Sequence, residues 1–308
     1  MTRLHSIKGQ LNPAAPFDLE KSLDFIGAFP PMNGEQNLAT RALTKAVSIR
    51  GRVIVFQLGF GGTVDAPRLD YTLLAQDDLD SSLVCAAEDR IRFFLSLDDD
   101  LHAFYETGLS DAAFAPVVQR LYGLHQVKFL TPFEIACWSV INRRTSPTLA
   151  KRVKDALIKE FGGALDVNGT LYRAFPEPAQ MATTSPDELC VLIKNDQKAE
   201  YLWAVVRAFS QVDETFLRTG EYAKVREWLL DIKGIGDWSA HFIMLRGLGR
   251  MEVVPSLRNS AYEERLVEAV TRVYAPGKPL SPDSIEQLAR RYGEMQGYWA
   301  YYLRAAAD

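Results

Sequence analysis

The sequence predicts an α+β chain, a small N-terminal antiparallel sheet followed by an all-helical domain. Three observations carry this. Strand-type segments with glycine punctuation fill residues 46–74, proline-led helix starts recur beyond residue 130, and acidic stretches separate the two regimes. With 308 residues the chain is long enough for two domains of roughly 100–200 residues each. We place them at 1–95 and 96–308.

Taken in order, a helix is expected around Leu19 to Phe29. Strands are expected at Ala46–Arg50, Val53–Leu58 and Leu69–Leu74, with a turn in the glycines from Gly59 to Gly62. Asp77, Asp78 and Asp80, then Asp98 to Asp100, mark the passage into the helical part. There Thr131-Pro132-Phe133-Glu134 reads as a capping box with proline at the first helical position, and Ser146-Pro147, Ser185-Pro186 and Ser281-Pro282 repeat that start. Residues 166–184 are the most loop-like stretch of this half.

Composition narrows the function. Hydrophobic residues make up 47% and charged residues 24%, which is ordinary globular usage. A formal net charge of -4 removes the bulk basicity that favours indiscriminate polyanion binding, so nucleic acid, if bound, is held at a local site. Cys85, Cys137 and Cys190 are far apart and form neither a metal knuckle nor a disulfide framework, which fits a reducing compartment. The start carries no signal-like apolar region and no apolar run approaches about 18 residues, so a cytoplasmic protein without a membrane partner is expected. The four histidines show no metal-ligand spacing, and neither a Gly-x-Ser-x-Gly elbow nor a phosphate loop is present. No metal or cofactor is expected.

The most specific pattern lies at about 222–246. Val225, Trp228, Leu229 and Ile232 form one apolar helical face that runs into Lys233-Gly234-Ile235-Gly236, and Trp238, Phe242 and Leu245 share a face of a second helix. Two glycines around one aliphatic residue allow a tight turn whose backbone N–H groups face outward, where they can hold a DNA phosphate. An αα-hairpin with a glycine C-cap is the plain alternative.

The Gly-Ile-Gly-x-Trp-x-Ala context resembles the helix-hairpin-helix of the DNA glycosylase superfamily, in its 3-methyladenine DNA glycosylase II branch. The likeness extends from about Leu95 to Arg304. It includes Leu97 to Tyr105, Leu121 to Leu124, the Thr131 capping segment, and Glu252 to Pro255, which is similar to the branch's Asp-Val-Phe-Pro turn. Tyr298-Trp299-Ala300-Tyr301-Tyr302 is similar to its closing Pro-Trp-Arg-x-Tyr segment, with Ala300 in place of the arginine.

This resemblance implies a monomeric enzyme that binds double-stranded DNA containing damaged or modified bases, flips the base into an aromatic pocket and hydrolyses its glycosidic bond. Trp238, Phe242, Trp299 and Trp138 are the candidate pocket walls, with Trp138 read more readily as core. Gly234, Ile235, Gly236 and Lys233 become the phosphate anchor. Trp238 stands where strand-nicking relatives carry a lysine nucleophile, so no lyase step is implied.

Two positions depart from the pattern. The catalytic aspartate position is Arg258, and the nearby carboxylates Glu252, Glu263 and Glu264 are weak substitutes. An oxocarbenium-like sugar is stabilised by a carboxylate, and a unit charge at about 4 Å is worth about 4 kcal/mol at an effective dielectric of about 20. A cation there reverses that contribution unless Arg258 turns to a DNA phosphate. Where the family places a glutamine-rich wedge, this chain has Arg143 and Arg144, suited to phosphates or an orphaned base, or else a solvated helix end. Two functions therefore stay open, a monofunctional DNA N-glycosylase and a non-catalytic binder of damaged or modified DNA with the same fold.

Overall fold

The computed structural model describes residues 4–32, 34–39, 41–254, 261–278 and 280–307. Its first part is a five-stranded antiparallel sheet of β1 (His5–Leu11), β2 (Gln36–Ala39), β3 (Ala42–Ile49), β4 (Arg52–Gly62) and β5 (Pro67–Ala75), in the order β1-β5-β4-β3-β2. The three strands expected from sequence are its middle. β3 and β4 join through Arg50 and Gly51, both at positive φ (52° and 75°), a turn that matches strand twist. The two edges escape the pattern because β2 has only four residues and β1 keeps just Leu11 fully buried. Between β1 and β2 runs α1 (Leu19–Ala28), capped by the Asp18 carboxylate accepting from the Glu20 amide at 3.0 Å.

The helical part follows as α2 (Ser81–Leu95), α3 (His102–Ser110), α4 (Ala115–Arg120), α5 (Pro132–Asn142) and α6 (Pro147–Phe161). It continues with α7 (Pro186–Ile193), α8 (Asp196–Phe209), α9 (Glu214–Thr219), α10 (Tyr222–Leu230), α11 (Asp237–Phe242), α12 (Ala261–Tyr274), α13 (Pro282–Arg290) and α14 (Gln296–Ala307). Residues 166–184 are not merely loop. β6 (Gly163–Val167) and β7 (Thr170–Ala174) form a hairpin through Asn168 and Gly169 at φ 54° and 84°. This Asn-Gly pair is the strongest short-range hairpin signal, carried here by strands of only five residues. The hairpin covers one face of the sheet, packing Leu165, Val167 and Tyr172 on Ala46 and Val55.

The other face shares one core with α1, α2, α5 and α8, while a second core gathers α3, α4, α12, α13 and α14 around Phe104, Trp299 and Tyr302. α5 is buried from Pro132 to Ile141. Its start is half a capping box. Thr131 accepts from the Glu134 amide at 3.0 Å, but the Glu134 side chain turns inward to the Lys154 ammonium at 2.6 Å instead of back to the cap. Ser185 and Glu188 do form the reciprocal pair. No helix among the described residues is long and apolar enough to cross a membrane.

Candidate nucleic-acid interface and base cavity

The hairpin is built by burying its aliphatic residues and leaving its backbone outside. Val225 and Leu229 of α10 are fully buried, and Trp228 meets Phe209 edge to face at 5.3 Å. Ile232 and Ile235 pin the loop beneath, so Ile235, expected among the DNA-contacting residues, offers only its backbone. The two glycines have different reasons. Gly234 sits at φ 97° against the Tyr201 ring, where a Cβ would lie 2.4 Å from Cγ, whereas Gly236 is extended and faces open space. Lys233 is tied to Glu200 at 2.5 Å and Arg226 to Asp237 at 2.5 Å.

Arg143 and Arg144 are exposed beyond the end of α5, with Arg144 in the left-handed region at φ 49°. Lys198 closes that helix end, donating to the Ile141 carbonyl at 2.8 Å and to the Thr145 hydroxyl. Burial, then the Arg143 charge, holds the Lys198 ammonium below its usual range. Lys198, Glu200 and Tyr201 all lie within one turn of α8. One turn of helix thus touches both the arginine loop and the hairpin loop, which puts both on one face of the molecule.

α11 carries the chain inward. Half-buried Trp238 stacks on Phe242, ring centroids 5.1 Å apart at 12°. The helix then widens into a π turn at Ile243–Gly247, a feature frequent at functional sites. Behind it is a cavity of about 460 Å³, bounded by Phe25 of α1, Phe29 at its C-terminal cap, Gln126, Phe242, Leu245, Arg246 and Tyr301. Arg265, Glu268, Arg272 and Arg304 form its charged rim. A larger hollow of about 730 Å³ between β2, α6 and β7 shares no residue with it.

Arg246 is 5% exposed and its guanidinium lies over Phe25, Phe29 and Tyr301 at 4.7, 5.1 and 5.2 Å. Burial pushes the Tyr301 phenol up and the neighbouring guanidinium draws it partly back. Burial, then the Arg304 and Arg226 charges, bring the nearby His241 imidazole down to about 4, so it is neutral at neutral pH.

Two expected pocket walls are elsewhere. Trp299 is fully buried in the second core, donating to the Tyr274 hydroxyl at 3.0 Å and stacked near Tyr292 at 5.9 Å. Two residues along α14 is about 200°, so Trp299 faces the core while Tyr301 faces the cavity. Trp138 is 4% exposed within the wholly buried α5. Phe25, Phe29, Gln126, Arg246 and Tyr301 were not expected as cavity residues. The i, i+4 spacing of Phe25 and Phe29, stacked at 5.3 Å, is the sequence signal that finds two of them.

Among the carboxylates, Glu252 pairs with Arg250 at 2.6 Å, and Arg250 also holds the Gly220 carbonyl at 2.8 Å, which is a loop-fixing arrangement. Glu264 is exposed. Arg258 and the Glu263 side chain lie outside the described residues.

No family model matches the chain. It is similar to a DNA-3-methyladenine glycosylase of Bacillus subtilis, 25% identical over 215 residues that cover 69% of each protein. It is 28% identical over 200 residues to a Mycobacterium tuberculosis protein named as a probable bifunctional transcriptional activator/DNA repair enzyme AlkA, covering 64% of this chain but only 39% of that one. The solved 3-methyladenine DNA-glycosylase of Archaeoglobus fulgidus superposes with a TM-score of 0.77 at 18% identity, over 96% of this chain and 97% of that one. Sheet, helical domain and hairpin together define a helix-hairpin-helix protein. These relatives and the shared fold indicate the helix-hairpin-helix DNA glycosylase superfamily.

Proposed function

We propose that this chain is a DNA N-glycosylase that excises a damaged or modified base from duplex DNA without cutting the strand. The observation that carries the reading is the single turn of α8 that supports both the arginine loop and the hairpin, with an aromatic cavity behind the hairpin helix. Arg143 and Arg144 grip the backbone, and the outward amides of the Lys233–Gly236 loop hold a phosphate. The base leaves the stack past Trp238 and enters between Phe25, Phe29, Phe242 and Tyr301. Trp238 supplies no amine for a Schiff base. The test is incubation with duplexes carrying 3-methyladenine, 7-methylguanine, hypoxanthine, uracil or hypermodified cytosine. Alkali-labile abasic sites, with no complex trapped by borohydride, are expected; a trapped complex would show a lyase step.

The sequence resemblance supports a second reading, a non-catalytic binder of the same lesions, because it sets Arg258 against the family's aspartate. If the sugar site is otherwise retained, Arg258→Asp raises excision, by up to about a thousandfold for a carboxylate worth about 4 kcal/mol. If neither form excises any base while both bind modified duplex tightly, the binder reading stands. A wild type that excises and loses activity in Arg258→Asp puts catalysis on arginine or on another group.

A further inference from the structure

We propose that Lys198 is a positioning residue: through the Thr145 hydroxyl it holds the arginine turn in the conformation that presents Arg144 to DNA. This rests on the DNA-binding reading above and assigns a part to a side chain that acts only through that loop.

The turn is at odds with its own sequence. Arg143 has φ −60° and ψ 120°, Arg144 has φ 49°, and the Thr145 amide donates to the Asn142 carbonyl at 3.2 Å. That is the type II pattern, whose third residue needs positive φ and is ordinarily glycine or asparagine. An arginine there is strained, and such strain persists only where the surroundings impose it. Here Lys198 imposes it. Its ammonium donates to the Ile141 carbonyl at 2.8 Å and to the Thr145 hydroxyl, which donates in turn to the Arg143 carbonyl at 3.1 Å. Two of the three ammonium donors are thereby fixed on the loop, and a chain of hydrogen bonds runs from α8 to the backbone of the turn.

Neither residue choice serves stability. Glycine at 144 would remove the strain, and a neutral donor at 198 would avoid the Arg143 charge that, after burial, opposes the ammonium. Strain kept at an exposed turn points to function. Arg143 and Arg144 are both exposed, so packing does not hold their side chains. What the brace fixes is the backbone, and with it the direction in which Arg144 leaves the surface. Without the brace, Arg144 relaxes to negative φ and its side chain swings off that line. The loop must then be re-ordered on each encounter, which lowers affinity without removing a charge.

The full chain is titrated by fluorescence anisotropy with one undamaged duplex over a series of salt concentrations. Thr145→Val removes the relay and changes no charge. It should weaken binding nearly as much as Arg144→Ala and lower the slope of log affinity against log salt by up to about 0.9, the share of one phosphate contact. Lys198→Met should do the same, and Lys198→Arg, which keeps both charge and donors, should recover most of the loss. In the Arg144→Ala background neither Thr145→Val nor Lys198→Met should have a further effect, since their target is gone. A further loss from Lys198→Met there would give Lys198 a phosphate of its own and overturn the inference. Unchanged binding in Thr145→Val and Lys198→Met, beside a loss in Arg144→Ala, overturns it too, and a lowered melting temperature with DNA affinity intact would leave Lys198 a structural cap. If Arg144→Ala itself changes neither affinity nor slope, the arginine loop is off the DNA, and the reading on which this inference rests fails first.

Discussion

Two groups of buried charge flank α5 and the adjoining core, and they are built on opposite plans. At the junction of sheet and helices, Lys154 is fully buried with Glu134 at 2.6 Å and Glu35 at 2.5 Å, and Lys45 reaches Glu35 at 3.0 Å. In the cavity, Arg246 is buried among the rings of Phe25, Phe29 and Tyr301 with no carboxylate against it among the described residues. A network of paired opposite charges carries its own counter-ions and fixes how two parts of a chain meet. A charge held against rings alone has no counter-ion beside it.

The largest effect should come from breaking the paired cluster. Lys154→Met leaves Glu134 and Glu35 buried without their shared cation and should cost about 3–5 kcal/mol in chemical denaturation. A loss below about 1 kcal/mol would mean that water or another cation takes its place. The same cluster predicts an acid response. Burial alone would raise the Glu35 carboxyl, but Lys154, Lys45 and Lys151 bring it from 4.5 down to about 2. A group with a depressed folded-state pKa contributes stability above its unfolded value and loses it as pH falls. The wild type should therefore weaken from about pH 4.5 towards pH 2, and Glu35→Gln should lose the neutral-pH advantage and flatten that slope.

Arg246→Met should behave otherwise. It removes three cation–π contacts but also the desolvation of a charge without a counter-ion, and the unbranched Met fills the same space. The two changes oppose each other, so unfolding free energy should shift by no more than about 1 kcal/mol. A loss comparable to that of Lys154→Met would make Arg246 a structural charge after all and dissolve the contrast.

Sequence carried the local part of this picture and missed what depends on tertiary direction. The middle strands and the Ser-Pro helix starts follow from residue type and spacing alone, and so does the hairpin. Asn168-Gly169 was equally legible, but its flanking strands have five residues each and little alternation. Trp299 and Tyr301 could not be sorted by composition, since both are large aromatics in one segment. Only the packing of α14 decides which faces the cavity. Glu134 shows the same limit: its spacing from Thr131 fits a capping box, yet burial beside Lys154 outweighs a surface cap. Arg246 and Gln126 belong to no motif, and only packing places them in the cavity wall.

The paired and unpaired contrast recurs on the proposed DNA face at lower stakes. No carboxylate among the described residues pairs with Arg143 or Arg144, whereas Lys233 and Arg226 are each held by one. Arg144→Ala should weaken all duplexes alike and lower the slope of log affinity against log salt by about 0.9, the share of one phosphate contact. An unchanged slope would place Arg144 off the DNA.

The smallest expected effect concerns Asp237, which follows Gly236 directly and holds Arg226 at 2.5 Å while 82% exposed. Its carboxylate sits beside the amides proposed to meet a phosphate, so it repels the anion and keeps one cation occupied. Asp237→Asn keeps the shape, removes the charge and frees Arg226. Duplex affinity should rise a fewfold at low salt, with a salt slope steeper by up to about 0.9, and both gains should fade as ionic strength rises. Gly236→Ala adds only a methyl group in open space and keeps the carboxylate, so its salt slope should remain that of the wild type. If Asp237→Asn instead weakens binding in a folded protein, the carboxylate orders the loop rather than opposing the phosphate, and the anchor must be sought in the arginine loop alone.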